Sequence, residues 1–210
     1  MKKNKIALIA VVLSLVGIIA VGTTLAYLNT STQTVTNTFT PSGSQLSIQL
    51  REPAWDGFDF DVADNDYKWG LEAKTNDPAL GIKKAAKYAP GSVIPKDPTV
   101  KNTGNSEAWI AVKLTGTNVP AYASIAYNNT NAWTFVDKGN GVKIAYLNAP
   151  LAVNAKTAPV FTQITIDAAA TDLGSANFNI TATAYAIQTE NIADLSAAQT
   201  AFASQFSDLA

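Results

Sequence analysis

Apolar and polar residues alternate along several short stretches of the chain, which is typical of strands that bury one face. In 177–188, the apolar Phe178 and Ile180 share one parity with three alanines, while polar residues dominate the other parity. A second clear strand is 108–115, and further strand-prone stretches are 45–51, 121–127, 133–136, 142–147 and 160–166. Eight or so short strands separated by turns predict an all-β fold, a β-sandwich of jelly-roll or Greek-key type.

Two stretches depart from this simple alternation. Pro95 and Pro98 restrict 93–100 to an edge strand or an extended segment, because proline cannot donate a ladder hydrogen bond. Near the end of the chain the apolar spacing becomes helical, and Ser196–Gln199 matches a capping box. We therefore expect one short C-terminal helix, with the apolar residues Ile192, Leu195, Ala198, Phe202 and Phe206 at helical spacing.

Residues 52–92 show no sustained period and predict a loop-rich insertion in the single domain 41–210. A short helix is expected at about 82–88. Aromatic residues alternate here with aspartates, of which Asp59, Asp61, Asp64 and Asp66 offer oxygen ligands of the kind that calcium prefers. Their spacing does not match an EF-hand loop, so a solvated acidic loop is the simpler interpretation and calcium is a weaker alternative.

The N-terminus has the pattern of a secretory signal peptide over 1–26. Three lysines precede a 16-residue apolar run, and small residues follow it up to Ala26. Cleavage between Ala26 and Tyr27 is expected, so the mature protein would be secreted and would meet the membrane only during export. A retained anchor helix is the alternative, although the run is slightly short for a membrane span.

Residues 27–40 form an uncharged, threonine-rich segment that favours an extended strand. One interpretation is a first strand in the subunit's own sheet, or a frayed end. The other is a donor strand that completes the sheet of a neighbouring subunit, with Val35 and Phe39 as apolar anchors and Leu28 as a weaker one.

Composition removes several classes of function. The chain has no cysteine and no histidine, which excludes disulfide scaffolds, thiolate metal sites and imidazole-based catalysis. A net charge of -1 argues against a basic nucleic-acid interface. An enzyme is not expected, since only carboxylate-based hydrolysis would remain.

Several motifs resemble the TasA/camelysin family of secreted bacterial proteins with signal peptides of the SipW-dependent type. They are the signal region with Leu25–Leu28, the segment 35–40, the sequence EPAW at 52–55, the block PGSVIPKDPTVKNTG at 90–104 and AYAIQ at 184–188. Residues 56–88 match least. The resemblance implies a jelly-roll fold and cleavage by a SipW-type signal peptidase. It also implies a homopolymeric fibre of the biofilm matrix, in which the N-terminal segment is donated to the next subunit.

The family also carries a metallopeptidase activity, which the absence of histidine disfavours here because catalytic zinc normally has imidazole ligands. The leading hypothesis is therefore a secreted structural protein of the extracellular matrix or cell surface, without a cofactor. The alternative is a surface module that does not polymerise and binds a sugar or a host ligand through the aromatic acidic loop 55–69.

Overall fold

The computed structural model describes residues 29–31, 45–63, 66–68, 70–128, 131–174 and 177–210. The predicted signal peptide with its cleavage position at Ala26 and Tyr27 lies outside these residues. The anchors Leu28, Val35 and Phe39 and the acidic Asp64 also lie outside them. No described helix is both long enough and apolar enough to span a bilayer.

The described part of the chain is dominated by short strands. They are β1 (Asn29–Ser31), β2 (Ile48–Arg51), β3 (Val93–Pro95), β4 (Thr99–Asn102), β5 (Ala108–Thr117), β6 (Ala123–Tyr127), β7 (Trp133–Gly139), β8 (Val142–Leu147), β9 (Phe161–Ile166) and β10 (Asn179–Gln188). The helices are α1 (Pro53–Asp56), α2 (Gly81–Ala85) and α3 (Leu195–Gln205), followed by a 3₁₀ turn at Ser207–Leu209.

The strands form three antiparallel sheets, which confirms the prediction of an all-β fold. The largest has the order β1-β10-β5-β8-β7, a second pairs β2 with β4, and the third has the order β3-β9-β6. Strand β3 lies at an edge, as its proline requires. The turn between β7 and β8 has positive φ at Gly139, Asn140 and Gly141, the residue types that hairpin turns favour.

The two faces of the five-stranded sheet are both covered. One face packs against the two smaller sheets, and apolar residues from all three sheets meet in the main core. The other face packs against α3 in a second cluster that includes Tyr146, Ile187 and Phe202. Alternation along β10 sets this division, because Ala184 and Ala186 join the main core while Tyr185 and Ile187 face the helix.

The C-terminal helix is present, but its N-cap residue is not the predicted Ser196. The helix begins at Leu195, and the side chain of Asp194 accepts a hydrogen bond from the backbone N–H of Ala197. Asp194 is therefore the N-cap, and Ser196 lies within the first turn. Asp194 lies two residues before Ser196, and both residue types are favoured at the N-cap position.

Strand β1 lies in the subunit's own sheet, at the edge beside β10. Asn29, Thr30 and Ser31 pair with Ile187, Ala186 and Tyr185. These three residues thus follow the interpretation of 27–40 as a first strand of its own sheet. The residues from 32 to 44 lie outside the described part of the chain.

Candidate functional site

Two segments that carry the sequence resemblance, 52–55 and 96–98, lie side by side. Glu52 directly follows β2, and Lys96 directly follows β3. The Nζ atom of Lys96 lies 2.5 Å from Oε2 of Glu52, and both side chains are more than nine-tenths buried. Because the two residues come from different sheets, this ion pair joins β2 to β3 beneath the surface of the protein.

Helix α1 holds Glu52 and its neighbours in place. Pro53 occupies the first turn, where its missing N–H costs nothing, and Gly57 ends the helix with a φ of 84°. The backbone N–H of Ala54 donates to Oδ1 of Asp97 at 2.8 Å. The start of the helix is thus fastened to the segment that carries Lys96.

A second buried acid, Asp56, closes the other end of α1. Its carboxylate accepts hydrogen bonds from the backbone N–H of Phe58 at 2.9 Å and from the hydroxyl of Tyr67 at 3.1 Å. The guanidinium of the fully buried Arg51 lies 4.0 Å from the centre of the Tyr67 ring. We call the buried residues Arg51, Glu52, Asp56 and Lys96, together with the half-buried Asp97, the buried charge cluster.

Burial shifts the ionisation of this cluster. It raises the pKa of Asp97 to about 6, and the negative charges of Glu52 and Asp56 add to the rise. Burial also raises the pKa of Asp56, although its hydrogen bonds with Phe58 and Tyr67 oppose the change. The pKa of the Tyr67 hydroxyl is raised by burial and by the nearby carboxylates. The surroundings of Asp56 and Asp97 therefore favour the neutral form of these two carboxyl groups.

The buried charge cluster borders a cavity of about 570 Å³, a size typical of small-molecule sites. Glu52 and Lys96 are the charged residues among its described lining residues. The walls are mostly apolar and aromatic, with contributions from Leu50, Trp55, Tyr67, Leu71, Ile82, Tyr88, Ile94, Ile164, Phe178, Ile180 and Ala182. This combination of apolar walls with a few buried polar groups is typical of a binding site.

Helix α2 and a loop leucine form part of the mouth of this cavity. Gly81 packs so tightly that a Cβ atom there would lie 1.8 Å from the carbonyl oxygen of Pro95. The close approach brings Ile82, Ala85 and Ala86 to the cavity wall. Leu71, which also lines the cavity, is 82% exposed.

A scan against protein-family models, a search of curated proteins and a search of solved structures each find no match to this chain.

Three of the four aspartates predicted as calcium ligands, Asp59, Asp61 and Asp66, are absent from the described lining of the cavity. Asp59, Asp61 and Asp66 are exposed, as the solvated-loop interpretation expects. Asp59 forms an ion pair with Lys156 at 3.2 Å, and the backbone N–H of Phe60 lowers its pKa by donating to the carboxylate. Among the described residues, acidic side chains do not gather in threes or more at metal-binding distance.

The clustering of these residues was not predicted from the sequence. Glu52 and Lys96 belong there to motifs that resemble a family, and Asp56 is one aspartate of an acidic stretch. The proline-containing context on both sides of the ion pair, EPAW and PKDP, was the signal available. It indicated fixed backbone around two opposite charges that lie 44 positions apart.

Proposed function

We propose that this chain is a secreted structural subunit of a TasA/camelysin-like extracellular fibre, with the jelly-roll β-sandwich that the sequence resemblance implies. A SipW-type signal peptidase would release it at Ala26 and Tyr27. Its partner in the fibre is a second copy, which donates its N-terminal segment. The proposal is non-enzymatic, in keeping with a sequence that has neither histidine nor cysteine.

The observation that carries this proposal is that, among the described residues, the outer edge of β10 is paired over only part of its length. Strand β5 pairs with β10 along its whole length, from Asn179 to Gln188. On the opposite side, β1 covers only Tyr185–Ile187, and no described strand pairs with 179–183 there. A stretch of five residues is long enough to pair with a short added strand, whose main-chain hydrogen bonds would supply affinity.

The register of β1 indicates how a donated strand would differ from it. Continuing the β1 pairing would place Val35 opposite Thr181, on the face turned away from Ile180 and Ala182. Ile180 and Ala182 pack against the main core. A shift of one residue moves every side chain to the other face, so a donated strand in the shifted register would direct Val35 and Phe39 toward the core.

Electron microscopy of the processed chain 27–210, beside a chain that begins at Pro41, tests the proposal. We expect filaments from the first and monomers from the second, with circular dichroism showing that both are folded. Filaments from the shorter chain would refute strand donation.

Paired charged substitutions test the anchors. Val35→Asp with Phe39→Asp should abolish filaments, because two carboxylates would enter an apolar core. Thr34→Asp with Thr38→Asp is the matched control, since these residues have the opposite parity and should tolerate charge. Loss of filaments only in the control would instead indicate that the β1 register continues.

The cavity favours a second candidate function, a surface module that binds a small ligand. Trp55 and Tyr67, two aromatic residues of the 55–69 loop, line it. Electron microscopy separates the two functions, because a module of this kind would stay monomeric while still binding its ligand.

A further inference from the structure

The five-stranded sheet and the three-stranded sheet leave the main core open at one end. Ala184 and Ala186 of β10 are fully buried. Phe178, Ile180 and Ala182 have the same parity and pack against the same core, but they are only half-buried. Residues of one parity face the same side of a strand, so these three side chains lie on the core face without being closed off from water.

Two cavities lie at this open end. The cavity described above is lined by Ile164 of β9 and by Ile180 and Ala182 of β10. A second cavity, of about 530 Å³, is lined by Leu114 of β5, by Ile125 of β6 and again by Ile180. Ile180 therefore forms part of the wall of both cavities.

Strand pairing places the two cavities next to each other between the same two sheets. In the five-stranded sheet, Ala182 of the first cavity pairs with Leu114 of the second. In the three-stranded sheet, Ile164 of the first cavity pairs with Ile125 of the second. Paired strands lie about 4.8 Å apart, so the step from one cavity to the other is one strand spacing on both sheets. We call the two cavities together the inter-sheet cleft.

The charged residues of the cleft form neutral pairs. Among the described lining residues, the first cavity has Glu52 and Lys96, and the second has Asp137 and Lys143. Each lysine forms an ion pair with the acid of its own cavity, at 2.5 Å in the first and 2.9 Å in the second. A charged ligand group that left water here would find no free opposite charge, so the cleft favours an uncharged ligand.

We propose that the inter-sheet cleft binds one elongated, uncharged apolar molecule, which lies across the strands and occupies both cavities. Its apolar chain packs against Phe178 and Ile164 in the first cavity, passes Ile180, and packs against Leu114 and Ile125 in the second. Burial of this chain against the open core supplies the affinity. The inference rests on the second candidate function above, and it adds the shape and the charge of the ligand.

Three probes with the same alkyl chain test the charge: 1-decanol, decylammonium and decanoate. Each is titrated into the monomeric fraction of the processed chain 27–210 below the concentration at which the probe aggregates, with binding followed by calorimetry. We expect one molecule of decanol to bind per chain, about tenfold or more tighter than either charged probe. Affinities within about threefold of one another would overturn the uncharged assignment.

Nuclear magnetic resonance of the chain labelled at its isoleucine methyl groups tests the position of the ligand. Bound decanol should show nuclear Overhauser effects to Ile164 in the first cavity and to Ile125 in the second, from opposite ends of the same molecule. Ile144 and Ile187, which belong to the cluster on the other face of the five-stranded sheet, serve as controls and should show none. Contacts confined to one cavity would overturn the elongated site.

Three tryptophan variants at exposed positions check the same placement. Ala86 lines the first cavity and Val119 lines the second, so Ala86→Trp and Val119→Trp should each weaken decanol binding by about tenfold or more. Ala152 lines neither cavity, so Ala152→Trp is the matched control and should leave the affinity unchanged. A loss of affinity in only one of the two cavity variants would overturn the inference.

The outcomes separate the inference from the function on which it rests. Saturable binding of decanol in one cavity alone would overturn the elongated site but leave a ligand-binding module. No saturable binding of any probe would overturn both. Tighter binding of a peptide with the sequence of residues 32–40 than of decanol would assign the cleft to a segment of a second copy, and would also overturn the inference.

Discussion

Replacing Lys96 by methionine should strongly destabilise the protein, because it leaves Glu52 buried without its cation. The two side chains lie 2.5 Å apart and are each more than nine-tenths buried. The gross attraction at this distance is about 7 kcal/mol at an effective dielectric constant of 20. Much of it only offsets the loss of hydration, but removal of one partner costs about 3–5 kcal/mol. That is a large part of the total stability of a typical domain, which is about 5–15 kcal/mol.

A double-mutant cycle measures this pair directly. Urea unfolding, followed by circular dichroism, gives the free energy of unfolding for Lys96→Met, for Glu52→Gln and for the two together. Because the double variant removes both members of the pair together, we expect its loss of stability to be smaller than the sum of the two single losses by about 2 kcal/mol or more. Strictly additive changes, or a loss below about 1 kcal/mol for Lys96→Met, would refute the reasoning.

Three further substitutions have defined outcomes in the same unfolding assay. The pKa of Asp97 is about 6 in the folded protein, above its value of 3.8 when unfolded. The protonated carboxyl therefore adds to the free energy of unfolding below pH 4, and this contribution is lost as the pH rises through 6. Asp97→Asn should therefore stabilise the protein by about 1 kcal/mol at pH 7.5, a value reduced because Asp97 is partly solvated, and should not stabilise it at pH 4. Equal stabilisation at both pH values would contradict this prediction. Gly81→Ala should cost about 1–3 kcal/mol, because the new methyl group meets the carbonyl of Pro95, and an unchanged midpoint would contradict the close packing. Asp194→Ala should cost about 1 kcal/mol and Ser196→Ala much less, and the reverse order would restore the predicted capping box.

The strands were most predictable where apolar residues repeat at every second position of the sequence. In β10 the alternation is sustained over ten residues, and the structure places its two parities against two different clusters. Strand β4 was harder, because Thr99–Asn102 is buried along most of its length and shows no alternation to detect. The helix α1 spans only four residues, too few for a period of 3.6 to repeat.

The candidate site was not predictable in the same way. Acidic residues in a loop are usually solvated, and Asp59, Asp61 and Asp66 follow that rule. Asp56 belongs to the same stretch of sequence and is fully buried. The difference arises from the hydroxyl of Tyr67 and the backbone around α1, which satisfy its carboxylate inside the protein. These partners lie close to Asp56 in sequence, 2 and 11 positions away, but the stretch has no regular period from which their contacts could be predicted.

The buried charge cluster is better explained by position than by stability. A buried ion pair contributes little net stability compared with apolar residues of the same volume, so stabilisation alone is a poor reason to place five charges here. The bonds of the cluster instead fix three pieces of chain relative to one another: the end of β2, helix α1 and the segment after β3. These pieces carry Leu50, Trp55 and Lys96, which line the cavity. These bonds hold this part of the cavity wall in position before any ligand enters.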